Sequence, residues 1–557
     1  MMKTNAKLFA LIILLIALSA CGAGQSTSPE EISVTLTPNT ASVQVAESVQ
    51  LTATVHNSTN SAVTWSLSGA GCSGATCGTI SSAGFYTAPA SVPSPATVTV
   101  KATSVADTSK SASATITILA AVVVADEWTW VSGSNIVDQA GIYGTQGIAA
   151  SSNVPGARDS AASWIDPQGN LWLFGGEGWD SAHITYYLND LWKYDPATLE
   201  WTWVSGSNTV YQAGTYGTQG TAAPSNVPGG RKGAVSWIDS SGKLWLSGGY
   251  GWDSAGDQDY LNDLWEYDPT TLEWTWVSGS NTVDQLGVYG TQGVSDSSNV
   301  PGAREWPVSW IDSQGKLWLF GGLGFNSGWH NDLWKYDPAI LEWTWVSGSN
   351  IVYQAGIYGT KGTADPSNVP GAREWAVSWL DSQGKLWLFG GNGLDSTGRS
   401  GDLNDLWKYD PTILEWTWVS GSNTVDQLGV YGIKGAAAFS NVPGARSDAV
   451  SWLDSSGKLW LFGGFGLDSV GISGWLNDLW KYDPTTLEWT WVSGSNALDQ
   501  AGTYGTQGTA APSNVPGARL WAVSWLDSSG KLWLFGGFGL DSAGYTARLN
   551  DLWHYIR

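Results

Sequence analysis

One phrase organises this chain. Glu-Trp-Thr-Trp begins at Glu127, Glu200, Glu273, Glu342, Glu415 and Glu488, at spacings of 73, 73, 69, 73 and 73 residues. Asn-Asp-Leu-Trp precedes it in each later unit and Val-Ser-Gly-Ser-Asn follows it, as at residues 477–480 and 492–496. A fixed period of this size marks a repeat architecture, in which one unit cannot bury its apolar faces without its neighbours.

Each repeat carries four strand-like runs, which in one unit occupy residues 376–381, 385–391, 404–409 and 415–419. The turns between them, Asp381-Ser-Gln-Gly384 and Asp410-Pro-Thr-Ile413, are short and rich in turn formers, as tight antiparallel hairpins require. Four antiparallel strands repeated radially make a β-propeller blade. Six Pro-Gly-(Ala/Gly)-Arg turns end at Arg158, Arg231, Arg304, Arg373, Arg446 and Arg519, so six blades are expected. The last repeat stops before any Glu-Trp-Thr-Trp, while residues 127–131 precede the first blade with no blade of their own. That orphan strand is expected to complete the sixth blade and close the ring.

The diglycines at 175–176, 248–249, 321–322, 390–391, 463–464 and 536–537, the later tyrosines (Tyr194, Tyr267, Tyr336, Tyr409, Tyr482, Tyr555) and the tryptophan after them resemble kelch repeats. The resemblance covers residues 127–557 and implies the propeller also used by galactose oxidase. A long insertion between the fourth strand and the next first strand departs from the pattern. The fold class expected is all-β, a six-bladed kelch-type propeller preceded by an immunoglobulin-like (Ig-like) sandwich.

That sandwich is read at residues 32–120, where runs such as 32–38, 49–55, 63–67, 96–102 and 113–119 alternate apolar and polar residues and Trp65 is the candidate core aromatic. The segment resembles bacterial Ig-like domains, notably at 80–89, which implies a spacer or adhesion module. Cys72 and Cys77 lie close together within it, consistent with a local disulfide in an oxidising compartment. Ahead of it, Lys3 and Lys7, an apolar run at 8–18 and Leu18-Ser-Ala-Cys21 describe a secretory signal. The last four residues resemble a bacterial lipobox, implying a signal peptide at 1–20 and lipidation of Cys21. A tether at 21–31 and a linker at 121–126 complete the plan. Gly22 after the cysteine favours the outer membrane in Gram-negative lipoproteins, so a lipid-anchored protein facing the periplasm or the exterior is expected.

A net charge of −23 argues against nucleic acid or anionic lipid surfaces as partners. Of 38 tryptophans, 30 recur at five positions in all six repeats and read as core; Trp65 is the thirty-first. The other seven break the symmetry, among them Trp306, Trp375 and Trp521, each two residues after a repeat arginine. With the six arginines, Glu305 and Glu374 they form the candidate ligand site at the channel mouth, the arginines alternatively holding loop carbonyls in every blade. The hairpins at 177–188, 250–261, 323–330, 392–403, 465–476 and 538–549 vary, which is where specificity on a rigid scaffold would sit. Gly-Gly-x-Gly-x-Asp, as at 536–541, matches half of a calcium-roll repeat but stands once per blade, and the diglycine accounts for it. No galactose oxidase-type copper site, metal or cofactor is read, since the propeller has no cysteine and its histidines are scattered. A monomeric binding module for a glycan or surface protein is the reading. The alternatives are a sugar-directed enzyme of epimerase or mutarotase type, using acids such as Asp159, Glu305, Glu374 and Asp448, or an architectural protein.

Overall fold

A computed structural model describes residues 30–119, 126–325 and 328–556. The chain divides into two compact units, Met1–Val123 and Val124–Arg557. The signal peptide, Cys21 and all of the linker but Asp126 lie outside the described residues.

The first unit pairs Thr40–Gln44, Ser111–Leu119, Thr97–Ser104 and Val63–Ser68 in that order, with Ser33–Thr37 against Thr52–His56 in a second sheet. The run at 49–55 is split. Ser48–Gln50 pairs with Phe85–Thr87, the Leu51 amide donates to Gly84 O at 2.9 Å, and the chain then joins the other sheet. Val98, Val100, Ala102, Ala114 and Ile116 are fully buried between the layers. Trp65 is not the central aromatic expected: it is only partly buried, with its indole N–H donating to Ser82 O at 3.3 Å. Tyr86 takes that place, fully buried, its hydroxyl donating to Cys77 O at 2.8 Å. Cys72 and Cys77 are joined by a disulfide.

The second unit is a β-propeller. Among the described residues, a four-stranded antiparallel core recurs six times, in four cases extended by one or two short strands, for example Val377–Leu380, Leu386–Phe389, Leu406–Asp410 and Glu415–Ser420 with Ala364–Asp365 added at the edge. Turn chemistry sets each first hairpin. Asp381 Oδ1 accepts from the amides of Gln383 and Lys385, and Oδ2 from the Trp387 indole at 2.8 Å. Consecutive sheets bury aromatic layers between them: Trp379, Trp387 and Phe389 of this one pack with Trp480, Tyr482 and Trp489 of the next. A buried tryptophan removes ~150–250 Å² of surface from water, so these layers dominate the burial.

The ends of the second unit meet. Glu127–Ser132 pairs with Leu552–Ile556, placing Glu127 opposite Ile556 and Trp130 opposite Trp553. A core cluster joins Trp525, Trp533 and Phe535 of the last sheet to Trp192, Tyr194 and Trp201 of the first. Near the axis the first strands are stitched by serines: Ser236 Oγ donates to Ser163 O at 2.9 Å, and Ser309, Ser378, Ser451 and Ser524 repeat the bond to the preceding sheet.

Candidate functional site

Each repeat arginine is buried and committed within its own sheet. Arg158 Nε donates to Gly156 O at 3.0 Å, Nη1 to Gly175 O at 2.9 Å and to Asp190 Oδ1 at 2.7 Å, and Nη2 to Asp190 Oδ2 at 2.7 Å. Tyr143 and Trp192 donate to the same carboxylate, at 2.6 and 2.7 Å. Burial works against the Arg158 charge, and Asp190 more than offsets it, so the guanidinium pKa stands above its ordinary value. The same ion pair forms at Arg231–Asp263, Arg304–Asp332, Arg373–Asp405, Arg446–Asp478 and Arg519–Asp551. This corrects the expectation that Arg158, Arg231, Arg304, Arg373, Arg446 and Arg519 ring the mouth as ligand contacts. Their side chains lock the diglycine turn and the inserted segment to the third strand. The tyrosine explains the constant length of that insertion, because its hydroxyl must reach one fixed carboxylate.

The mouth begins one residue later. The residues after the arginines, Asp159, Lys232, Glu305, Glu374, Ser447 and Leu520, stand in register with the hairpin residues Glu177, Tyr250, Leu323, Asn392, Phe465 and Phe538. Those in turn face Tyr187, Tyr260, Trp329, Asp402, Trp475 and Arg548. Six equivalent rows of backbone therefore carry six different sets of side chains.

A further residue on, Ser160, Gly233, Trp306, Trp375, Asp448 and Trp521 all adopt φ between 53° and 64°. Their backbones bond around the axis: the amide of Ser160 donates to Trp521 O, Gly233 to Ser160 O, Trp306 to Gly233 O, Asp448 to Trp375 O and Trp521 to Asp448 O, at 2.8–3.3 Å. Left-handed backbone under a bulky side chain is costly and persists only where surrounding structure enforces it. The three indoles do not stand as separate stacking planes, as expected, but pack on one another. Trp306 and Trp521 lie 6.3 Å apart and nearly parallel, with Trp375 tilted 4.9 Å from Trp306. Together with the alanines behind them they leave an axial cavity of about 160 Å³.

Beside this plug lies a larger cavity of about 360 Å³. Trp375, Trp475, Trp521, Phe465 and Phe538 form its aromatic wall; Asp402, Asp448, Asn392 and Ser447 supply the polar groups. Burial pushes the Asp448 carboxyl well above the usual range, against the pull of Ser447 and Trp521. Burial also raises Asp402 to about 6, although Asn392 Nδ2 donates to it at 2.9 Å. The row of Asp402 and the row before it continue the pattern. Glu374 is pushed up to about 7 by burial, with the Trp329 indole donating to Oε1 at 2.9 Å. Glu305 is pushed up to about 8 by burial, with Lys232 opposing and Glu374 adding to the shift. The second carboxyl oxygens of Glu305 and Glu374, and Asp448 Oδ1, are buried without a hydrogen-bond partner.

The cations of the mouth are paired, and one of them, Arg548, stands in the row of Phe538. Arg548 binds Asp159 at 2.7 Å and Glu177 at 2.5 Å; Lys232 binds Glu177 at 3.2 Å and stands 5.4 Å from the Trp306 ring. Carboxyls that straddle neutral pH beside an aromatic wall can give and take protons on a bound molecule. Asp402 and Phe538 were visible in the sequence only as members of hairpins that vary, whereas Trp475 was also one of the seven tryptophans outside the repeat pattern. The aspartates of the calcium-like half-motif are engaged with backbone: Asp180 accepts from the amides of Ala182, Ile184 and Val210.

No family model matches the chain. A 167-residue segment is 29% identical to N-acetylneuraminate epimerase 2 of Escherichia coli O6:H1 and 31% identical to N-acetylneuraminate epimerase of Escherichia coli O139:H28. That match takes in 28% of this chain and 42% of each relative's length. A solved structure titled "Structure of YjhT" covers 72% of this chain and 95% of its own, at 16% identity and a TM-score of 0.44. Repeated antiparallel sheets joined through diglycine turns make the second unit a β-propeller, and its repeats keep the kelch-like pattern of diglycine, tyrosine and tryptophan.

Proposed function

We propose that the protein is a sugar-directed enzyme that interconverts anomers, working at the mouth of a six-bladed propeller. The observation that carries this reading is the 360 Å³ aromatic cavity with two carboxyls of raised pKa in its wall. Similarity to two epimerases named for N-acetylneuraminate supports a sugar as the substrate class. Opening a cyclic sugar needs a base to take the anomeric O–H proton and an acid to protonate the ring oxygen as its bond to the anomeric carbon breaks. Rotation about the bond to the carbonyl carbon and the reverse proton transfers then close the other anomer, with no redox change. Asp402, held by the Asn392 amide, is assigned the base, and Asp448, whose buried carboxyl is pushed well above the usual range, the acid; two carboxyls in different environments can divide the roles in this way. A glycan-binding module without chemistry is the second reading, favoured by the aromatic wall alone.

A four-stranded core found six times, with Glu127–Ser132 supplying the outer strand of the last, supports the blade count. The layered first unit supports an Ig-like spacer. Lipidation at Cys21, an outer-membrane or surface location and a monomeric state belong to the same proposal and rest on the sequence. The deciding experiment follows exchange between anomeric protons of reducing sugars by NMR. The wild type accelerates exchange, and Asp448→Asn or Asp402→Asn lowers the catalysed rate by roughly 10²–10⁴-fold, the usual contribution of a general acid or base. Binding with no acceleration by the wild type would leave the binding module.

A further inference from the structure

We infer that the sugar taken by this cavity is uncharged, a neutral hexose or N-acetylhexosamine rather than a carboxylate sugar. The inference rests on the sugar reading above and names its substrate class. Among the residues lining the cavity there is no lysine or arginine, and its ionisable groups, Asp402 and Asp448, are both acids. The row of Asn392 and Asp402 also carries Glu374, whose Oε2 is buried without a partner. A carboxylate placed here would lose its water and face buried acids with no cation to offset the cost. Lys232 and Arg548 cannot turn to meet it without leaving Asp159 and Glu177 unpaired.

A neutral pyranose meets none of that opposition. Its C–H face can lie on the aromatic wall, where Trp475 and Phe538 already meet edge to face at 5.9 Å. Its hydroxyls can donate to Asp402 and Asp448 and exchange bonds with Asn392 and Ser447, the few placed polar groups that fix a ligand in an apolar pocket. Arg399, on the same hairpin as Asp402, is exposed and is not part of the wall.

The test measures binding and exchange separately on the full mature chain at pH 7. Saturation-transfer NMR and tryptophan fluorescence titrations compare glucose, galactose, mannose and N-acetylglucosamine with glucuronate and N-acetylneuraminate. At least one neutral sugar should bind tenfold or more tightly than either acid, and Trp475→Ala should weaken it by about tenfold while the melting curve stays cooperative. Acid sugars bound as well as neutral ones, with affinity lost in Arg399→Gln, would overturn the inference and leave the anomer-exchange reading standing. Neutral sugars bound but not exchanged would overturn that reading and leave this one. Preference for glucosamine over N-acetylglucosamine at pH 6 would make the occupant a cation and overturn the inference too. Failure of every sugar to bind overturns both.

Discussion

Arg373 and Glu374 are neighbours on one strand and live by opposite rules. Arg373 is held by Asp405 and by the carbonyls of Gly371 and Gly390, in an arrangement repeated in all six sheets. Glu374 has one partner, Trp329, a buried free oxygen and a raised pKa, and no other repeat shares its surroundings. Six identical charges satisfied within their own sheets hold the scaffold together. Charges left half satisfied stand where the repeats diverge, and that is where the proposed function is placed. The difference sets a six-fold structural contact beside an asymmetric one across a single peptide bond.

The comparison breaks most severely where the ring is cut. Deleting residues 126–132 strips the outer strand from the last sheet and uncovers Tyr555 and Trp553, so the cooperative thermal transition of the second unit should be lost; deleting residues 1–123 should leave it nearly unchanged. Equal melting curves for the two truncations would refute closure by that strand. Next in size is the buried pair. Asp405→Ala should cost about 3–5 kcal/mol in chemical denaturation, because it strands a buried guanidinium, whereas Glu374→Gln should cost little.

Acidity sharpens the contrast further. Glu305 and Glu374 hold their protons in the folded state up to about pH 8 and 7 but release them near pH 4.5 when unfolded. The folded state thus binds more protons between those limits, and their contribution is complete below pH 4.5 and lost as pH rises through 7 to 8. Stability from urea melts should fall by several kcal/mol, up to about 7, between pH 5 and pH 9 from this source. Glu305→Gln with Glu374→Gln should flatten the slope. The smallest effect belongs to the axial backbone. Ser160→Gly, at φ 53°, should change stability by no more than about 1 kcal/mol, in the stabilising direction if strain dominates; a loss of several kcal/mol would mean that the Ser160 hydroxyl has a task of its own.

Much of this was legible in the repeats. Strand positions, hairpin turns and the 30 recurring tryptophans could be read because period, turn residues and burial patterns are local properties that recur six times. Trp65 misled because size alone does not say which aromatic reaches the centre of a sandwich; Tyr86 does, since its hydroxyl finds Cys77 O there. The arginines misled for a related reason: the sequence shows Arg158 and Asp190 each recurring, but not that 32 residues of chain bring them together. Of the seven symmetry-breaking tryptophans, Trp306, Trp375 and Trp521 were placed at the mouth from the sequence, while their packing against one another was not readable.

The sequence by itself determined a repeating all-β architecture, because a 73-residue period with alternating strands and diglycine turns admits few other folds. Only the tertiary structure decided the site. Asp402, Asp448, Trp475 and Phe538 come from three different repeats and meet in one cavity because strand register and ring closure place them there. The raised pKa values of Asp402 and Asp448 are likewise a property of shared burial, which no residue carries in its own sequence neighbourhood.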